Sequence, residues 1–176
     1  LHIFLQGQRN VGRSTVIIRT LDIIRSKTEL IIGGFITFRG GTDDPYTYMR
    51  SANPEGKRED YCLGSCHKEL RNEPLLFDQV GVPLLKDSQN ADIIVMDELG
   101  FLEREALEFH QAVYSVLAGD IPVIGVLRLG NILWFEQIKT NPKVKLVEVT
   151  KENRDGLPEV LASRLMPILV QRPTLL

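Results

Sequence analysis

The residues with the clearest capacity for chemistry stand close to the start of the chain, in the run Gly7-Gln8-Arg9-Asn10-Val11-Gly12-Arg13-Ser14-Thr15. Gly7 and Gly12 permit backbone angles that turn successive N–H groups towards one point, which makes a concave anion nest. A helix opening near Arg13 adds its positive N-terminal end. Ser14 puts a hydroxyl where Mg²⁺ would sit beside bound phosphates, and the cation at position 13 reaches the β- and γ-phosphates. The run fits the phosphate-loop pattern G-x-x-x-x-G-K-[ST] at every fixed position except one, where Arg13 stands in place of lysine. A plain glycine turn is the competing reading of the pattern alone. The setting decides for the nest, because the run follows an apolar strand-like segment and opens an amphipathic helix.

A second group follows some 83 positions later, in Ile93-Ile94-Val95-Met96-Asp97-Glu98. An apolar strand that ends in two carboxylates is poor packing chemistry, since carboxylates are rarely buried unpaired. At the carboxyl edge of a sheet, Asp97 can support a metal together with Ser14. Glu98 can orient and deprotonate a water aimed at the γ-phosphate. Arg39, Arg128 and Arg154 each adjoin the carboxyl end of a strand-like run, where ligands bind in open α/β sheets. Each is most simply a solvated arginine. Arg128 is the preferred arginine finger among them because it directly continues the Val123–Leu127 run.

These groups need a scaffold, and the hydrophobic pattern supplies one. Five short apolar runs, His2–Gln6, Ile32–Phe38, Ile93–Asp97, Ile121–Leu127 and Val144–Val149, lack clean alternation, which predicts strands buried on both faces of a parallel sheet. Helical spacing marks Ser14–Ser26 through Val16, Ile17, Thr20, Leu21 and Ile24. It also marks Glu103–Leu117, Leu133–Lys139 and a last helix capped by Asp155 that carries Leu157, Val160, Leu161, Leu165 and Leu169. Strands alternating with helices give an α/β fold with right-handed crossovers. The rhythm breaks at Gly40–Asn90, a turn-rich insertion placed near the carboxyl ends of the strands. Within it Tyr46-Thr47-Tyr48-Met49 can pair back on Phe35–Arg39 as a hairpin.

Composition bounds the remaining choices. At 176 residues and 43% hydrophobic content the chain reads as one domain, 1–176, large enough to bury its own core. Its 21 Lys and Arg against 23 Asp and Glu give a formal charge of -2, which argues against a general grip on nucleic acid. No apolar run approaches the length of a membrane helix. Two cysteines in one loop, Cys62 and Cys66, fit reduced thiols. With no leader-like segment at the start, a cytoplasmic location is the expectation. Cys62, Cys66 and His67 lack a fourth zinc ligand nearby, since His2 and His110 are distant. Neither cysteine has an arginine six positions later, where Lys68 and Asn72 stand. His110 reads as structural or exposed, and Trp134 and Phe135 as packing their helix on the sheet.

On these residues the chain resembles the THEP1-type nucleoside-triphosphatases. The resemblance rests on His2–Thr15, Gly34-Phe35-Ile36-Thr37, Val95–Glu103 and Val149-Thr150-Lys151-Glu152-Asn153-Arg154-Asp155, and spans nearly the whole sequence. It implies a P-loop NTPase with a RecA-like, mostly parallel sheet, helices on both faces, and one strand between the phosphate-loop and Asp-Glu strands. It also implies slow, Mg²⁺-dependent hydrolysis of ATP, GTP and other nucleoside triphosphates to diphosphates. By position, Gly7–Thr15 would bind phosphates, Asp97 would support the metal and Glu98 would activate water. Asn153 and Arg154 would lie near the base or ribose. The sequence departs from the family at Arg13 and after Thr37, where Phe38-Arg39-Gly40-Gly41-Thr42-Asp43-Asp44-Pro45 replaces a Glu and a glycine-flanked basic hairpin. A planar forked guanidinium is not equivalent to a compact ammonium in a tight nest. A loss of about 3–4 kcal/mol of transition-state stabilisation would slow turnover on the order of 100–1000-fold. Three readings therefore stand: a broad nucleoside-triphosphatase, a nucleotide-binding regulatory module with weak or no turnover, and a nucleotide or small-molecule kinase with its acceptor in the 40–90 insertion.

Overall fold

In a computed structural model, residues 1–56, 58–64 and 75–171 are described. The chain runs through β1 (His2–Gln6), α1 (Arg13–Arg25), β2 (Ile32–Arg39), β3 (Thr47–Ser51) and β4 (Tyr61–Gly64). A wide helical turn over Phe77–Gly81 leads into α2 (Val82–Lys86) and a tight turn over Asp87–Asn90. Then follow β5 (Ile93–Leu99), α3 (Leu107–Ala118), β6 (Val123–Leu127), α4 (Leu133–Lys139), β7 (Val144–Glu148) and α5 (Leu157–Val170).

The strands form one seven-stranded sheet in the order β4-β3-β2-β5-β6-β1-β7. β2, β5, β6, β1 and β7 pair in parallel, while β3 pairs antiparallel with β2 and β4 antiparallel with β3. The expected hairpin is present, with Phe35 opposite Ser51 and Arg39 opposite Thr47. β6 lies between β1 and β5, so the anion nest and the two carboxylates face each other across one strand.

Successive residues of a strand point to opposite faces, and here both faces are covered. Ile3, Leu5, Ile93, Val95, Ile124 and Val126 pack beneath α1 and α5. Phe4, Ile94, Met96, Val123 and Leu127 pack beneath α2, α3 and α4. This is why β1, β5 and β6 show no alternation in sequence. α1 buries Val16, Ile17, Thr20, Leu21 and Ile24, the face its spacing predicts. Among the described residues no helix is long and apolar enough to cross a membrane.

Three local expectations are corrected. β7 is an edge strand with half-exposed residues, because no strand covers its outer side. α3 begins at Leu107 rather than Glu103, and Leu107 is exposed while Phe109 and His110 turn inward. Asp155 does not cap the last helix: Gly156 holds that position without a side-chain bond, and Asp155 pairs instead with Arg19 of α1 at 3.6 Å. Trp134 and Phe135 are buried on the sheet as expected, and the His110 ring stacks on Trp134 with centroids 4.4 Å apart. Cys62 lies exposed on β4. Cys66, His67, Lys68 and Asn72 lie outside the described residues.

Candidate active site

At the carboxyl end of β1 the chain must turn back sharply to start α1, and two glycines allow it. Gly7 has φ +140°, and a Cβ there would stand 2.5 Å from the Val149 carbonyl oxygen. Only a residue without a side chain lets the loop lie so close to the segment after β7. Gly12 has φ +105° and immediately precedes the helix, while Asn10 adopts a left-handed φ of 61°, a conformation asparagine tolerates. The loop is tied by Val11 N–H donating to the Gln8 carbonyl at 3.3 Å and Val16 N–H to that of Gly12 at 3.0 Å. The first amides of α1 point outward from this turn, the arrangement that receives phosphate oxygens.

β5 brings up the carboxylates. Asp97 is 5% exposed, and the Ser14 hydroxyl donates to its Oδ1 at 3.1 Å across 83 residues of sequence. Burial pushes the Asp97 carboxyl up to about 6, and the neighbouring Glu98 adds to the rise against the Ser14 bond and the Arg13 charge. Its peptide to Glu98 is cis. Glu98 is held between two guanidiniums. Arg13 Nη2 stands 3.0 Å from Oε2, and Arg128 Nε stands 3.6 Å from Oε1. Behind it the Glu98 N–H donates to the Thr37 hydroxyl at 3.1 Å. Arg128 reaches this point because its own N–H bonds the Leu99 carbonyl at 3.0 Å, continuing the β5–β6 ladder.

A further carboxylate lies behind the site. Glu103 is 2% exposed, and its Oε1 accepts the Gly100 N–H. Burial drives its carboxyl up to about 7. Its backbone carbonyl accepts from Ala106 N–H at 2.9 Å and from the His110 ring at 2.8 Å. The loop after β5 is thus folded around Glu103. Sequence reading placed this residue at a helix start, and the Gly100-to-Glu103 spacing was the one signal of its different role.

The sequence candidates converge unequally. Arg9, Asn10, Gly12, Arg13, Ser14, Thr15, Asp97, Glu98 and Arg128 line one cleft of about 520 Å³. Gly7, Gln8 and Val11 shape the loop beneath it. Arg39 stands at its far wall, exposed at the end of β2. Arg154 crosses the nest from the other side, its Nη1 donating to the Val11 carbonyl at 3.4 Å. Asn153 is engaged within its own loop: its Oδ1 accepts the Thr150 N–H at 2.9 Å and its Nδ2 donates to the Glu148 carbonyl at 2.9 Å. Sequence reading missed Thr37 as a support for Glu98. It also missed the apolar wall of Phe77, Phe101 and Leu102, residues without chemistry of their own.

The Ser14 and Asp97 donors are hard oxygens, and the Asp97 carboxylate is buried with one hydroxyl as its hydrogen-bond partner. That donor set suits Mg²⁺, which needs one or two protein oxygens and takes the rest from phosphates and water. Among the described residues no group of three or more His, Cys, Asp or Glu forms a metal cage.

A nest on β1, a carboxylate pair on β5 and a strand between them define an α/β P-loop fold of the RecA-like kind. The fold comparison agrees. The crystal structure of THEP1 from Aquifex aeolicus superposes with a TM-score of 0.75 at 20% identity, over 94% of this chain and 99% of that one. The human cancer-related nucleoside-triphosphatase in solution gives 0.64 at 24% identity. Sequence comparison goes further. A family model described as an NTPase matches residues 2–162. A cancer-related nucleoside-triphosphatase homolog of Bos taurus is 31% identical over 91% of this chain and 94% of its own length. Nucleoside-triphosphatase THEP1 of Methanosarcina barkeri is 27% identical over 93% and 97%. The chain belongs to the THEP1-type nucleoside-triphosphatase family.

Proposed function

We propose that this protein hydrolyses nucleoside triphosphates, ATP and GTP among them, to diphosphate and phosphate with Mg²⁺. The observation that carries the reading is the convergence of the Gly7–Thr15 nest, the Ser14–Asp97 pair and Glu98 in one cleft. The backbone N–H groups of residues 8–14 hold the phosphate chain, and Arg154 screens it from the side of the β7–α5 loop. Ser14 and Asp97 would hold the metal, which would supply positive charge to offset that of the phosphates. Glu98 orients a water and takes its proton as the water oxygen bonds to the γ-phosphorus. The β–γ bridging oxygen leaves with the nucleoside diphosphate. Arg128, lying against Glu98, is placed to stabilise the charge that spreads over the transferred phosphoryl group.

Arg13 supports a second reading, a nucleotide-binding module with weak turnover. Its side chain is 11% exposed and its guanidinium pairs with Glu98 at 3.0 Å, so the residue of the phosphate-binding position also engages the base. Single-turnover hydrolysis of ATP and GTP with Mg²⁺ separates the two, using wild type, Arg13→Lys and Glu98→Gln side by side. Phosphate release by wild type that is lost in Glu98→Gln supports the hydrolase. Bound nucleotide that stays intact in wild type, with turnover appearing only in Arg13→Lys, supports the module and overturns the first reading.

A further inference from the structure

The cleft continues past the groups that hydrolysis requires. From Glu98 it runs to the end of β2, where Phe38, Phe77, Phe101 and Leu102 line it together with Thr37, Arg39 and Thr47. The sheet order places this chamber relative to nucleotide. The nest is on β1, and the loop carrying Arg154 lies on the β7 side of it, whereas Glu98 on β5 and Phe38 on β2 lie on the other side. A triphosphate in the nest with its terminal phosphate at Glu98 directs its nucleoside away from β2. The chamber is therefore on the far side of the reaction centre from the nucleoside, in line with the direction from which a nucleophile must come.

Its walls are fixed. Phe77 is 2% exposed. Phe38 stacks on Tyr48 with centroids 5.7 Å apart and carries the Arg50 guanidinium 4.2 Å from its own ring centre. Phe101 packs against Phe135 at 5.4 Å and beneath Arg128 at 5.2 Å. An attacking water occupies about 30 Å³ and gains nothing from such a surround. Aromatic rings held by their neighbours beside convergent polar groups such as Thr37, Arg39 and Thr47 are the anatomy of a small-molecule pocket.

We infer that this chamber seats an alcohol with an apolar or aromatic body, and that the protein transfers the γ-phosphoryl group to it. The inference rests on the nucleotide reading proposed above. In the step, the alcohol oxygen forms a bond to the γ-phosphorus while its proton passes to Glu98. The bond from that phosphorus to the β–γ bridging oxygen breaks, and the nucleoside diphosphate leaves with the electron pair. The products are a phosphate monoester and the diphosphate. Water is the nucleophile when no alcohol occupies the chamber.

The test follows the labelled γ-phosphoryl group of ATP in the presence of Mg²⁺ and equal molar amounts of benzyl alcohol and ethanol. Burial of one ring against apolar walls predicts benzyl phosphate over ethyl phosphate by about 10–100-fold. Leu102→Trp fills the chamber and should lower the ratio of benzyl phosphate to inorganic phosphate by at least about tenfold. Leu102→Gln should lower the preference without filling the space, which keeps the test decisive if the larger substitution disturbs folding. Inorganic phosphate as the sole product, or esters in equal amounts that neither substitution alters, overturns the transfer and leaves hydrolysis standing. ATP that remains intact with both nucleophiles overturns the triphosphatase reading, and this inference with it.

Discussion

The two rims of the parallel strands are built on opposite principles. At the amino rim, polar side chains tie β1 and the approach to β7 to the end of α3. The His2 ring, fully buried at the start of β1, donates to the Leu117 carbonyl at 3.1 Å. The Lys143 ammonium gathers the Ala118 and Gly119 carbonyls at 2.7 and 2.9 Å and the Asp120 carboxylate at 3.0 Å, which finishes the C-terminal end of α3. At the carboxyl rim, three carboxylates and four guanidiniums line one cleft, and burial pushes Asp97 and Glu103 towards protonation. The amino rim serves stability. The carboxyl rim holds charge where charge is costly, and it is the rim at which the proposed hydrolysis receives its phosphoryl group.

Substitutions at the carboxyl rim should accordingly move activity far more than stability. Glu98→Gln is expected to lower single-turnover hydrolysis by on the order of 100–10,000-fold, the range for losing a general base. Its thermal midpoint should stay near wild type; a midpoint collapse would place Glu98 with the structural residues instead. Gly7→Ala strikes the one place where the two roles meet, since its Cβ collides with the Val149 carbonyl. Strain of about 1–3 kcal/mol is expected, with nucleotide affinity reduced on the order of tenfold or more. Calorimetric unfolding and nucleotide titration of the same preparation read both.

The rims should also respond to pH with opposite sign. Glu103 is pushed from 4.5 up to about 7. The folded state therefore holds its proton more tightly, and this contribution to stability is lost as pH rises from about 4.5 through 7. Glu103→Gln should raise the thermal midpoint more at pH 8 than at pH 5. His2 is pushed by burial from 6.5 down to about 4. The unfolded state binds its proton first, so that contribution is lost as pH falls from about 6.5 to 4. His2→Gln should narrow the loss of midpoint between pH 7 and pH 4. Shifts of the same sign for both variants would erase the contrast. The smallest effect is expected for Lys143→Ala, about 0.5–1 kcal/mol by urea unfolding, with hydrolysis unchanged.

Much of this was legible in the chain itself. The five apolar runs became the parallel strands; four are covered on both faces and show no polar side, whereas β7 is an exposed edge strand. The buried stripe of α1 was legible to the residue because it has the helical period, while the helix itself, Arg13–Arg25, lies one residue earlier than the expected Ser14–Ser26. The phosphate loop was legible because its chemistry depends on backbone freedom at fixed spacing. The misreadings share a cause. Leu107 is apolar yet exposed, and Glu103 is charged yet buried: the loop around Gly100 is set by a hydrogen bond that no periodicity records. Asp155 is a good capping residue, but Arg19 on the neighbouring helix engages it.

The sequence by itself determined the layers, the nest and the identity of its candidate base, because these follow from side-chain period, glycine placement and residue type. Tertiary structure alone decided that Arg13 faces Glu98, that Arg128 meets the same carboxylate from the end of β6, and that Phe38, Phe77 and Phe101 line one cleft. Those contacts join residues from separate strands and loops. Charge and apolar surface find partners by distance in space, and only the order of strands in the sheet sets that distance.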